Sequence, residues 1–155
     1  MSAVSDPTAR VRDWVRAAKD GLGPWNSIPD DRLATIGRRC GPEEVAAIIA
    51  ILDDLSRNRA ALPAWDGDSY DDIGKAQAMY VHILGTVGAG HLAAVADGLR
   101  SGSWDTRGWV TLALERHGAP ALPALHAARD AETDANTRQF MTEAVGRLEA
   151  ATGAS

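Results

Sequence analysis

The segment MYVHILGTVGAGHLAAV (residues 79–95) aligns with WVTLALERHGAPALPAL (residues 109–125) at a constant offset of 30 residues. In both segments, apolar residues step by three and four positions until a glycine interrupts them, and a second apolar stretch follows. Such spacing is typical of amphipathic helices. Gly88 corresponds to Gly118, so each segment predicts the end of one helix, a break and the start of the next helix.

Two further segments extend this pattern along the chain. IGRRCGPEEVAAI (residues 36–48) fits the same frame, with Gly41 at the break, and RQFMTEAVGRLEA (residues 138–150) resembles another first helix. A helical pair cannot bury its apolar face alone, so neighbouring pairs must stack. No alternation of period two predicts a strand. The pattern therefore predicts an all-α domain of stacked helical pairs.

The repeated pattern resembles a known family. The period, the glycine break followed by Pro42 or Pro120, and the apolar rows are similar to those of HEAT-like repeats over roughly residues 24–150. HEAT-like repeats are paired antiparallel helices. The resemblance implies a short right-handed α-solenoid of the small bacterial type. It is specific for architecture and carries no particular function.

The expected organisation is a single domain over residues 1–155, a length that allows a real hydrophobic core. An amphipathic helix at about 6–22 is expected to cap one end of the repeats. The repeats are expected to occupy about residues 24–150. A disordered C-terminal tail is expected at about residues 152–155.

Tryptophan followed by asparagine or aspartate recurs before each predicted first helix. These pairs are Trp25–Asn26, Trp65–Asp66 and Trp104–Asp105. We expect Asn26 or Ser27, Asp66 or Ser69, and Asp105 to cap the three helices that follow, and the tryptophans to close the seams between neighbouring pairs. Because Trp104 lies in the shortest linker, it should be the best buried of the three. Trp65 should be the most exposed.

The segment WDGDSYDDIG (residues 65–74) belongs to the longest predicted loop, an insertion around Leu62–Asp72. It combines four carboxylates with two aromatic rings, which suits a cationic ligand or a partner that carries Arg or Lys. Long loops are often functional. The candidate partner-binding residues are Trp65, Asp66, Asp68, Tyr70, Asp71 and His82. The alternative is a solvated acidic loop that only caps the next helix, with His82 as a partly buried helix histidine.

Composition argues against several classes of protein. The net charge of −5 disfavours a nucleic-acid interface, which needs a basic patch. The single cysteine, Cys40, allows no disulfide within the chain and falls in an apolar row, so we expect a small buried side chain. No apolar run is long enough to predict a membrane span or a signal segment. A cytoplasmic protein is expected.

No motif assigns a catalytic residue, a metal or a cofactor. The sequence has no His-Glu dipeptide, no HExxH and no GxSxG, and no cofactor is expected. The leading interpretation is a module that binds a protein or a cationic peptide through its concave face or its acidic-aromatic rim, as an immunity or antitoxin-like protein or an adaptor. The alternative is a small biosynthetic lyase or cyclase that uses Asp66, Asp68, Tyr70 or His82 as acid–base groups. A closed pocket with converging polar groups would favour the enzyme.

Overall fold

The computed structural model describes residues 6–23, 27–61 and 67–153, and leaves out the side chains of residue 61 and residues 67–71. Every secondary-structure element in these ranges is helical, which confirms the all-α prediction. The α-helices are α1 (Pro7–Ala18), α2 (Asp30–Arg39), α3 (Pro42–Ala61), α4 (Gly67–Thr86), α5 (Leu92–Ala96), α6 (Trp104–Arg116), α7 (Leu122–Ala131) and α8 (Ala135–Thr152). The short 3-10 segments are Ala89–His91, Asp97–Arg100 and Ala119–Ala121.

The three predicted glycine breaks all separate helices. Gly41 lies between α2 and α3, Gly88 ends the turn after α4, and Gly118 lies between α6 and the 3-10 segment that leads into α7. At Gly118 the backbone φ is +78°, a left-handed conformation that strains residues with a Cβ. The break therefore needs glycine at this position for its backbone.

Helices α2, α4, α6 and α8 pack in succession, α2 on α4, α4 on α6, and α6 on α8. The other helices pack against this row: α1 on α2, α3 on α4 and α6, α5 on α6, and α7 on α8. Helix α1 also packs on α3, at the N-terminal end of the described chain. The row matters for function because its last two members, α6 and α8, frame the site described below.

The core follows the predicted apolar rows. On α3, Val45, Ile48 and Leu52 are fully buried, and on α4 the same holds for Ile83 and Leu84. Burying an aliphatic side chain of this size contributes about 1.5–3 kcal/mol. One cluster of buried apolar residues extends from α1 to α8. The packing therefore joins the described helices around a continuous core.

Helix α3 is long and reaches beyond its neighbour. It spans 20 residues, whereas α5 spans only five, and α3 packs on both α5 and α6. In the segment after α5, a Cβ at Gly98 would lie 2.7 Å from Val110 Cγ2 and 3.1 Å from Ile49 Cδ1. Ser101 Oγ donates to Asp53 Oδ1 of α3 at 2.6 Å. Helix α3 therefore contacts both the segment after α5 and helix α6.

Two predicted boundaries differ from the structure, the start of α4 and the end of α8. Helix α4 begins at Gly67, so Asp68, Tyr70 and Asp71 lie in its first turns and not in a loop. At the C-terminus, α8 continues to Thr152, which was expected to belong to a disordered tail. The helix ends at Gly153, whose φ is +71°. Residues 154–155 lie outside the described residues.

Within the described ranges, no single helix is long and apolar enough to span a membrane. The segments Asp72–Thr86 and Ala89–Arg100 meet that test only together, across a bend of 111°.

Candidate functional site

The start of α6 differs from the prediction. Ser103 is the N-cap, and its Oγ accepts a hydrogen bond from the backbone N–H of Thr106 at 3.2 Å. Trp104 and Asp105 are then the first two helical residues, so the prediction that Asp105 caps the helix is wrong. A serine hydroxyl two residues earlier already satisfies the exposed N–H. The Asp105 side chain is therefore available for other contacts.

The start of α2 also differs from the prediction. The helix follows Pro29 and has no side-chain cap, so Ser27 does not cap it. Trp25 and Asn26 lie outside the described residues. At α2 and α6, the two helices whose capping contacts are described, neither Ser27 nor Asp105 is therefore the cap.

Asp105 belongs to a polar cluster between three helices. Its Oδ2 accepts hydrogen bonds from Ser56 Oγ of α3 and from Gln77 Nε2 of α4, both at 2.9 Å. Arg59 donates to Gln77 Oε1 at 3.0 Å, and Ser56 Oγ lies 3.3 Å from Thr106 Oγ1. Gln77 is completely buried. Because buried polar groups are costly without partners, this cluster holds α3, α4 and α6 in one register.

Sequence reasoning missed this cluster, although it has one sequence signal. Gln77 lies three residues before Tyr80 and seven before Leu84, on the apolar row of α4. A polar residue on such a row is informative because it must find partners when buried. The partners themselves lie on α3 and α6, too far along the chain for helical spacing to identify.

Next to Asp105, helices α6 and α8 leave an open cleft of about 280 Å³. We call it the α6–α8 cleft. Three aromatic side chains line it, together with one carboxylate and a few small or polar groups. Its lining residues are Trp104, Asp105, Gly108, Trp109, Leu112, Asn136, Thr137 and Phe140. The cleft therefore combines a largely aromatic and aliphatic wall with a single acidic side chain.

Trp104 is 60% exposed, and it is the one large hydrophobic side chain that is exposed among the described residues. The expectation that it would be buried at a seam between helical pairs is wrong. Its rank among the three Trp-Asx tryptophans stays a prediction, because Trp25 lies outside the described residues. As the first residue of α6 it extends from the helix end, whereas Trp109 packs against the core. Trp65, its expected exposed counterpart, lies outside the described residues.

Of the six predicted site residues, only His82 has a described side chain. Trp65 and Asp66 lie outside the described residues, and Asp68, Tyr70 and Asp71 are described by their backbone alone. The His82 side chain is 20% exposed; its Nδ1 is hydrogen-bonded to the Arg116 guanidinium, and its Nε2 lies 3.9 Å from Asp30 Oδ1. These contacts join α4 to α6 and α2, and His82 does not line the α6–α8 cleft.

A second, larger cavity of about 520 Å³ lies between the Asp97–Arg100 segment and α7. Its charged lining residues are Asp97, Arg100, Arg107 and Glu132. Arg107 and Glu132 form an ion pair, with Nε–Oε1 and Nη2–Oε2 distances of 2.7 and 2.8 Å. The guanidinium of Arg107 lowers the pKa of Glu132, whose Oε2 also accepts from the backbone N–H groups of Thr133 and Asp134. With these partners, Glu132 joins the end of α7 to α6 through Arg107, and it is not placed to act as an acid–base group.

The described side chains offer little for metal or nucleophilic chemistry. Within the described part of the chain, no group of three His, Cys, Asp or Glu side chains is placed to hold a metal ion. Cys40 is 3% exposed, and burial raises the pKa of its thiol to about 12. A thiol with such a pKa is a poor nucleophile, so Cys40 is the small buried side chain that its apolar row predicted.

Comparison with known proteins finds no matching family model and no significant match among curated proteins or solved structures.

Proposed function

We propose that this chain is a short right-handed α-solenoid of HEAT-like helical pairs that binds a protein or peptide in the α6–α8 cleft. The architectural part has three supports. Gly88 and Gly118 lie 30 residues apart at breaks between helices, α2, α4, α6 and α8 pack in succession, and α1 packs at the N-terminal end of that row. These features are those that stacked helical pairs produce.

The exposed Trp104 is the observation that carries the binding proposal. Tryptophan is large and mainly apolar, so leaving most of it in water is unfavourable unless a partner covers it. It lies beside Trp109 and Phe140 in an open cleft. Aromatic side chains, and tryptophan above all, are enriched among the residues that dominate the binding energy of protein interfaces. The cleft therefore has the composition of a binding hot spot.

The charge of the chain favours a cationic partner. The net charge is −5, Asp105 lines the cleft, and further acidic residues occupy the start of α4. Charge complementarity of this kind speeds association and discriminates between partners. A basic peptide or protein is the partner we propose, in keeping with an immunity or antitoxin-like protein or an adaptor of the bacterial cytoplasm.

The lyase or cyclase alternative has less support. Catalysis of that kind needs acid–base groups that converge on a substrate. Among the residues that line the α6–α8 cleft, Asp105 is the one ionisable side chain, and two donors already hold its Oδ2. His82 contacts Arg116 and does not line the cleft. We therefore propose binding without turnover.

Selection from a phage-displayed library of random peptides tests the proposal. We expect the wild-type chain to enrich peptides that combine Arg or Lys with apolar residues. A synthetic peptide from that set should bind at least tenfold more weakly to Trp104→Ala and should lose affinity as salt rises. Thr142→Ala, on the exposed face of α8, is the matched control and should bind normally.

Two results of that experiment would count against the proposal. One is a selection in which no peptide is enriched over a display control without the protein. The other is a selected peptide that binds Trp104→Ala as tightly as it binds the wild-type chain.

A further inference from the structure

We propose that the α6–α8 cleft is a site for a methylated or quaternary ammonium group, carried either by a small molecule or by a trimethyl-lysine side chain. This inference rests on the proposed function because it names the chemistry that the same cleft recognises. It depends on three features of the cleft: its aromatic wall, its one carboxylate, and the small number of other side chains that can accept a hydrogen bond.

The aromatic wall attracts cations. Trp104 and Trp109 lie five residues apart on α6, and Phe140 faces the same cleft from α8. The face of an aromatic ring carries negative potential, and tryptophan is the strongest of the aromatic side chains in binding cations. Trp104 is 60% exposed, so much of its ring area is free to contact a ligand. Two tryptophans and a phenylalanine on one cleft therefore provide several contacts for a single cationic head group.

Asp105 supplies the compensating charge. The hydrogen bonds from Ser56 and Gln77, both at 2.9 Å, go to Oδ2, and Oδ1 receives none from the described residues. Because Gln77 is completely buried and is itself hydrogen-bonded to Arg59, the carboxylate is held in place by the polar cluster. A positioned carboxylate beside aromatic rings favours a cation over a neutral ligand of the same shape.

The remaining polar groups favour an alkylated ammonium over lysine or arginine. A primary ammonium brings three N–H donors and a guanidinium brings five, and each loses free energy if it is desolvated without an acceptor. Besides Asp105, the side chains on the cleft that can accept a hydrogen bond are Asn136 and Thr137, because the indole N–H groups of the two tryptophans can only donate. A quaternary ammonium has no N–H to satisfy, so the cleft accepts it at a lower desolvation cost.

The size of the cleft agrees with a head group of this kind. A volume of about 280 Å³ lies just below the usual range of ligand sites, which run from roughly 300 to 1,000 Å³. Gly108 contributes to the room, since a Cβ at that position would meet no atom within 4 Å. The cleft is therefore suited to a compact group rather than to an extended cofactor.

Titration with choline and with its neutral isostere 3,3-dimethylbutan-1-ol, followed by two-dimensional NMR of the indole N–H groups, tests the inference. The two probes have the same shape and differ in charge. We expect saturable shifts with choline, and affinity at least tenfold higher than for the neutral alcohol. Equal affinities, or no saturable shift with choline up to about 50 mM, well above the millimolar range of weak specific sites, would overturn the inference.

Matched peptides distinguish the sources of the ammonium group. A short peptide with trimethyl-lysine is compared with the same peptide carrying unmodified lysine. Tighter binding of the trimethylated peptide than of choline supports a protein partner, whereas weaker binding supports a small-molecule ligand. An unmodified peptide that binds as tightly as the trimethylated one contradicts the preference for alkylated ammonium.

Three variants locate the site. Trp104→Ala removes an aromatic wall, Asp105→Asn removes the charge while keeping an oxygen acceptor, and Gly108→Leu fills the cleft with a residue that favours helix. We expect choline affinity to fall at least fivefold in the first two and to be lost in the third. Thr142→Ala should bind normally. Unchanged affinity in Gly108→Leu with an intact near-UV circular dichroism spectrum would overturn the location.

The outcomes also separate this inference from the proposed function. A chain that binds selected peptides through Trp104 and does not bind choline contradicts the ammonium site and leaves peptide binding intact. A chain that binds choline with the expected variant effects and enriches no peptide contradicts the peptide-binding proposal alone.

Discussion

Gly37 of α2 lies directly against Thr86 of α4, with no room for a side chain between them. A Cβ at position 37 would overlap Thr86 Oγ1 and would lie 2.9 Å from the carbonyl oxygen of Ile83. The Thr86 hydroxyl donates to that same carbonyl at 2.8 Å, so turning it aside would break a hydrogen bond. Helices α2 and α4 therefore meet at their backbones at this point.

Replacing Gly37 by alanine should destabilise the protein by about 1–3 kcal/mol, because the added methyl group overpacks this contact. Gly146 of α8 is the matched control, since a Cβ there meets nothing within 4 Å. Gly146→Ala should stabilise the protein by about 0.5–1 kcal/mol through helix propensity. Urea unfolding measures both changes, and equal stabilities for the two variants would contradict the close approach of α2 and α4.

Trp104 and Leu114 lie on the same helix, but truncating them to alanine should change the free energy of unfolding by very different amounts. Leu114 is completely buried, so Leu114→Ala should cost about 2–5 kcal/mol. Trp104 is mostly exposed, and Trp104→Ala should change the free energy of unfolding by about 0.5 kcal/mol or less. Thermal melts compare the two variants. A loss of stability in Trp104→Ala similar to that in Leu114→Ala would show that the tryptophan serves packing.

The Arg107–Glu132 ion pair should make stability depend on pH in the acid range. The pKa of Glu132 is lowered in the folded chain, so the stabilisation is present above the unfolded pKa of about 4.3 and is lost as pH falls through the folded value. Glu132→Gln should cost about 3 kcal/mol at pH 7, because it leaves the largely buried Arg107 without its charged partner.

The difference between wild type and Glu132→Gln should shrink as pH falls below the unfolded pKa of about 4.3 and should continue to shrink towards the lowered folded pKa of Glu132. Unfolding curves measured between pH 3 and pH 7 would show this convergence. Glu143→Gln, at an exposed position on α8, is the control and should follow the wild type throughout. A constant difference between wild type and Glu132→Gln across this range would contradict the assignment.

Cys40 should not react in the folded protein. Its thiol is buried and its pKa is raised to about 12, so little thiolate forms at pH 8. A thiol-specific reagent should label it only after denaturation, and at a rate that follows unfolding. Thr142→Cys, exposed on α8, provides a positive control that should react at once. Rapid labelling of Cys40 in the native wild-type chain would argue for a mobile or accessible segment around α2.

The sequence predicts those parts of the fold that depend on local signals. Gly41, Gly88 and Gly118 interrupt helical rows that recur in a fixed frame, and Cys40 lies on such a row, so their positions could be read without the structure. The polar cluster and the cleft could not. Asp105 pairs with Ser56 and Gln77, which lie 49 and 28 residues away, and helical periodicity carries no information at those separations.

The misassigned position of Trp104 has a different physical cause. Two candidates for the cap of α6 lie close together, and Ser103 takes the role that was expected of Asp105. A shift of two residues in a helix start moves a side chain around the helix by about half a turn. Trp104 is consequently exposed on the cleft, where it was expected to be the best buried of the three Trp-Asx tryptophans.

The reach of α3 limits where another helical pair could be inserted into this fold. In a stack where each helical pair touches only its neighbours, pairs can be added or removed and can melt one at a time. Here Ser56 and Asp53 of α3 bond to Asp105 and Ser101, across the pair that contains α4 and α5. An extra helical pair inserted there would separate these partners. The residues from α3 to α6 should therefore unfold together, and this part of the fold should resist insertion of another helical pair.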